Sequence, residues 1–125
     1  MGRSVYSPAA IAGYAALCGL PVAYILHGLN LRARGYIRLG FSWVGFGAAC
    51  LGVLFVLPES FAPARGFMLS LGVFGGIALF QLESGPYQRA IAQGATRALW
   101  WPPALIVIGA TIIQLIATFV LEAVA

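Results

Sequence analysis

In 125 residues the chain carries 62% hydrophobic and 8% charged side chains, with seven basic residues, three acidic ones and a formal net charge of +4. A soluble domain has about 25% charged residues, so water alone is excluded as the solvent for most of this surface. Every basic residue is arginine, every acidic one is glutamate and there is a single histidine, which argues against Ser-His-Asp sets, carboxylate pairs and His/Cys/acid metal sites.

The expected fold is an all-α integral membrane protein. A single transmembrane helical domain over 1–125 would contain four transmembrane helices, arranged as two antiparallel hairpins. Residues 7–29 hold no charge apart from a protonatable His27. At about 1.5 Å per residue they can cross ~30 Å of hydrocarbon, so they form the first expected span. The length of this run, Pro21 within it and the lack of a small-residue cleavage site separate it from a signal peptide.

A short polar turn follows, bearing Arg32, Arg34 and Arg38, and the second span is expected over 37–57. Pro58 and Pro63 bracket a polar turn over 58–65, since proline breaks helices and marks surface turns, and the third span is expected over 66–82. Next, Ser84 is placed to cap a helix and Pro86 to open one. Arg89, Gln93 and Arg97 then recur every four residues, which predicts a short interfacial amphipathic helix over 86–99 between the third and fourth spans. Trp100 and Trp101 suit an aromatic belt, and Pro102 and Pro103 open a fourth span over 102–121.

The connections after the first and third spans hold Arg32, Arg34, Arg38, Arg89 and Arg97, whereas the opposite side holds Arg3 and Arg65. The positive-inside rule then places both connections in the cytoplasm and the N- and C-termini outside. A bacterial cytoplasmic (inner) membrane is the expected host, with an organellar inner membrane as the alternative. Arg32, Arg34, Arg38, Arg89, Arg97, Trp43, Trp100 and Trp101 are read as interface anchors.

Within the spans, Ala12 with Ala16, Ala48 with Gly52, and Gly72 with Gly76 each present small residues four apart, a spacing that lets helix backbones approach closely. Thr111, Gln114 and Thr118 share one helix face, as interhelical hydrogen-bonding groups or as the lining of a pathway. His27 is either a structural histidine at a helix C-terminus or the ligand of a haem or pigment metal. Glu83, Arg38 and His27 fall at one membrane face, as separate interfacial anchors or as a small ionisable cluster.

No catalytic constellation emerges, so the chain is not expected to be an enzyme by itself. No metal site is expected, and no cofactor is specified beyond the His27 reading. The arginines stand singly at the ends of apolar runs, which points away from nucleic acid. The expected partners are the lipid bilayer and other membrane subunits, or further copies of the chain. Three functions fit this pattern: an accessory or scaffold subunit of a larger membrane complex, a small homo-oligomeric transporter or channel, and a haem- or pigment-binding subunit using His27.

Overall fold

The computed structural model describes residues 3–56 and 62–125, and these form five helices and one two-residue strand pair. Ser7 opens α1 (Pro8–Cys18) as its N-cap, its Oγ accepting a hydrogen bond from the Ala10 N–H at 3.2 Å. Gly19 then separates α1 from α2 (Leu20–Ala33). Pro21 lacks the N–H that a continuous helix would direct at Leu17, and its ring would crowd that carbonyl. Gly19 takes φ 94°, which only glycine adopts without strain, and the chain restarts as a new helix.

A three-residue turn joins α2 to α3 (Ile37–Val56). The Tyr36 N–H donates to the Leu31 carbonyl and the Gly35 N–H to the Arg32 carbonyl, with Gly35 at φ 97°. This pairing is the Schellman helix ending. The long α4 (Ala62–Ala92) closes in the same way, with the Ala95 N–H bonded to Ala90, Gly94 bonded to Ile91, and Gly94 at φ 93°. A parallel pairing of β1 (Ser4–Val5) with β2 (Thr96–Arg97) then ties the first residues to the connection that leads into α5 (Trp101–Val124).

α2 packs mainly on α3, and α1 on α4. The buried core runs along α1 and α2 to α4, through Ile11, Tyr14, Ala15, Ala23, Leu26 and Leu79. Glycines permit these approaches. A Cβ added at Gly28 would lie 2.6 Å from the Gly40 carbonyl oxygen, and one at Gly47 would lie 2.6 Å from that of Pro21.

The expectation of four transmembrane helices is corrected here. Among the described residues one helix, α5, is long and apolar enough to cross a membrane. The first expected span, 7–29, is broken at Gly19 into helices of 11 and 14 residues, about 16 and 21 Å long and each short of the ~30 Å of hydrocarbon. The apolar part of the second, Ile37–Val53, also falls short of a span. The third span, 66–82, and the interfacial helix, 86–99, do not exist as separate elements. One helix of 31 residues replaces the third span and the first half of the interfacial helix, continuing through Gln81, Glu83, Pro86 and Arg89 to Ala92, and the second half is a turn at Gly94 and the strand Thr96–Arg97.

Ser84 therefore lies inside a helix instead of capping one, and its Oγ donates to the Phe80 carbonyl at 2.6 Å. The fourth span, 102–121, lies within α5. Residues 58–61 of the turn expected over 58–65 lie outside the described residues, while 62–65 open α4, so Pro63 stands in the first turn of a helix, where its missing N–H costs nothing, and does not close a turn. The expectation that both termini face outward came from alternating loops between four spans, and it loses its basis with them.

Candidate functional site

A buried ionisable cluster forms where α2, α4 and the chain before α1 meet. His27, Asn30 and Arg34 are spaced three and four residues apart, so α2 presents them on one face. α4 supplies Glu83, which is 1% exposed. Oε1 of Glu83 accepts hydrogen bonds from His27 Nδ1 and, at 3.2 Å, from Arg34 Nη2, while Oε2 accepts from Asn30 Nδ2 at 3.1 Å. Arg34 is steadied from below, its Nε donating to the Asn30 carbonyl at 3.4 Å.

Asn30 is also the clamp for the N-terminal segment. Its Oδ1 accepts the Tyr6 N–H at 2.7 Å and its Nδ2 donates to the Tyr6 carbonyl at 2.9 Å. The side chain thereby satisfies a backbone unit much as a neighbouring strand would. His27 is closed over by Trp43, whose ring stands edge-on to the imidazole at 5.1 Å, and Trp43 in turn contacts Tyr24 at 5.2 Å.

Burial by itself pushes the Glu83 carboxyl upward. Hydrogen bonds from His27 and Asn30 and the Arg34 charge outweigh it and hold the group below its ordinary value. The carboxylate is thus an ionised, fully partnered acceptor, and its chemistry is that of a cross-link between α2 and α4. Burial raises the Cys18 thiol, which favours its protonated, unreactive form.

The other expected residues lie as follows. Gly72 and Gly76 face α1, where an added Cβ at Gly76 would approach the Ala12 carbonyl oxygen to 3.0 Å and the Ala15 Cβ to 3.1 Å. Ala16 is exposed, and Ala15 stands at the contact. Ala48 is exposed and Gly52 has open space beside it, while Gly47 meets α2. The hydroxyls of Thr111 and Thr118 donate to the Val107 and Gln114 carbonyls of their own helix, at 2.8 and 2.9 Å. All three polar residues of that face are exposed.

Among the anchors, Arg32 lies over the Phe41 ring at 4.5 Å, and Arg97 Nε donates to the Tyr87 hydroxyl at 3.1 Å. Arg38 is exposed on the first turn of α3, Arg89 is exposed on α4, and Trp100 and Trp101 are exposed at the start of α5. The Trp100 carbonyl accepts a hydrogen bond from the Tyr14 hydroxyl. A groove of about 530 Å³ with apolar walls runs between α1 and α5, past Gly13, Leu17 and Ala104.

Among the described residues no three His, Cys, Asp or Glu side chains are grouped to hold a metal ion. His27 is 5% exposed, with Nδ1 engaged by Glu83 and one edge covered by Trp43. This packing does not fit a macrocycle on the imidazole.

These features define a helical protein with one candidate membrane span and a buried ionisable cluster that fastens α2, α4 and the segment before α1 together. Comparison with protein-family models, curated proteins and solved structures finds no match.

Proposed function

We propose that the chain is a non-catalytic accessory or scaffold subunit of a larger membrane assembly, held in the bilayer by α5. The observation that carries this reading is the exposure of α5: none of its residues is buried, and Ile106, Ile113, Leu115 and Phe119 are 59% or more open. A helix apolar on all sides needs a membrane or other apolar elements around it. At 24 residues α5 is about 36 Å long, enough for ~30 Å of hydrocarbon.

The other helices extend the uncovered surface, with Phe41 and Phe46 on α3 and Phe67 and Phe74 on α4 all more than half exposed. Apolar area of this extent marks a surface met by lipid or by another protein. The partners are therefore the bilayer and other membrane subunits, or further copies of the chain. The saturated hydrogen bonding of Glu83 supports a structural role over a catalytic one.

The transporter and haem-subunit readings are less well supported. The Thr111 and Thr118 hydroxyls are spent on their own helix, and His27 is enclosed. Arg89 and Arg97 precede α5 and no basic residue follows it, which by the positive-inside rule supports a cytoplasmic Trp101 end and an outer C-terminus; the host membrane we propose is a bacterial cytoplasmic one.

Mild detergent extraction from the native membrane followed by native mass measurement tests the proposal. The expected result is a defined complex heavier than the chain, which truncation after Arg97 abolishes. A monodisperse monomer of 13.1 kDa plus lipid, from every mild detergent tried, would overturn it.

A further inference from the structure

We propose that the cleft between the N-terminal segment, the α2–α3 turn and the end of α4 is a binding site for a phosphate group. The cleft has a volume of about 640 Å³ and is walled by Arg3, Arg34, Tyr36, Arg89 and Gln93 among others. That volume lies in the range of small-molecule sites, roughly 300–1,000 Å³, and holds a phosphate together with the group that bears it.

Charge decides the class of ligand. Three of the seven arginines line this one cleft, coming from three stretches of chain far apart in sequence, and no glutamate does so among the described residues. The acid in contact with the cleft's arginines among the described residues, Glu83, is buried against Arg34 with both oxygens already hydrogen-bonded. It neutralises one guanidinium and leaves the excess of positive charge with Arg3 and Arg89.

The donors are uncommitted as well as numerous. Neither Arg3 nor Arg89 makes a side-chain hydrogen bond or ion pair among the described residues. Arg34 spends two N–H groups, on Glu83 and the Asn30 carbonyl, out of the five that a guanidinium carries. Those two contacts fix the plane of its fork before any ligand arrives. Arg3 is held by backbone, its carbonyl accepting the Thr96 N–H at 2.7 Å.

Planar forks match phosphate oxygens two at a time. Three forks suit the several free oxygens of a phosphate better than the two of a carboxylate. The phosphate could belong to a water-soluble phosphomonoester or to the headgroup of an anionic lipid, since the cleft chemistry is the same for both.

The test uses the full chain in zwitterionic nanodiscs. Inorganic phosphate and glycerol phosphate are titrated calorimetrically, and a parallel set of nanodiscs is doped with phosphatidic acid and read by native mass spectrometry for retained lipid. Arg3→Gln and Arg89→Gln are each expected to weaken binding about tenfold, from the loss of charge-assisted hydrogen bonds. Arg38→Gln, on an exposed turn outside the cleft, leaves binding unchanged. Circular dichroism verifies that each variant is folded.

Saturable binding of the soluble phosphates assigns a water-soluble ligand. Retention of phosphatidic acid without soluble binding assigns a lipid headgroup. The proposal is overturned if the wild-type chain takes up neither, or if the folded Arg3→Gln/Arg89→Gln double variant binds as tightly as wild type.

Discussion

Replacing Glu83 by alanine should be among the most damaging single substitutions in this chain. The change strands three donors at once: His27 Nδ1, one proton of Asn30 Nδ2 and Arg34 Nη2. His27 and Asn30 are 5% and 1% exposed, so each orphaned group costs about 1–3 kcal/mol. Arg34 reaches solvent more easily, with 14% of its side chain exposed, and recovers part of its loss from water. His27 and Asn30 together therefore account for about 2–6 kcal/mol, a range that contains the ~3–5 kcal/mol that breaking one side of a buried ion pair costs. Glu83→Gln keeps the volume and one acceptor oxygen, so it should cost roughly half as much. With Trp100 and Trp101 replaced by phenylalanine, the fluorescence of Trp43, which packs perpendicular to His27 at 5.1 Å, is a local reporter during denaturant titration in a mild micelle. The reasoning fails if Glu83→Ala unfolds within about 1 kcal/mol of wild type, or if Glu83→Gln proves the worse of the two.

The same group sets an acid limit. A carboxyl held below its ordinary value of 4.5 stabilises the fold above that pH, and this contribution is lost as pH falls through the lower folded value. Wild-type stability should therefore decline on acidification below about pH 4.5 while Glu83→Gln loses this component of the decline, a difference visible in melting temperatures across a pH series. On α3, Gly47→Ala should cost about 1–3 kcal/mol through its clash with Pro21 and Ile25, whereas Gly45→Ala enters open space and should gain up to about 1 kcal/mol. Equal melting temperatures for the two would contradict the close α2–α3 contact. Tyr14→Phe removes the bond to the Trp100 carbonyl and should cost about 0.5–1.5 kcal/mol. Amide exchange should rise over residues 98–104 and stay unchanged in α3.

Helix content was legible from apolar runs bounded by proline, glycine and arginine, and α3 and α5 fall close to their expected limits. The number of crossings was not, because a hydropathy run does not reveal where its backbone is interrupted. Pro21 was visible, but the break lies two residues earlier, where Gly19 can take the required dihedrals. The reverse error occurred at 84–86, where Ser-Gly-Pro resembles a helix start. There the helix continues, and the Ser84 hydroxyl binds the Phe80 carbonyl one turn back.

The cluster was half visible. Glu83 and His27 were placed at one level by topology, but Arg38 was chosen as their companion. Asn30 falls just beyond the first expected span of 7–29, which hides the 27, 30, 34 spacing that marks a polar stripe along α2 and selects Arg34. Gly28, Gly40 and Gly47 carry no mark in the sequence because their close contacts run between α2 and α3, whereas a spacing of four relates residues along one helix.

The pairing of β1 with β2 joins Ser4 to Thr96, 92 positions later. On a ribosome Ser4 must wait until Thr96 has emerged before it can be seated, and such long-range closure is slow. The helices from α1 to α4 can gather first. The segment around Ser4 then acts as a latch, fastened only once synthesis has delivered Thr96 and Arg97, so that a chain stalled before that point keeps it open.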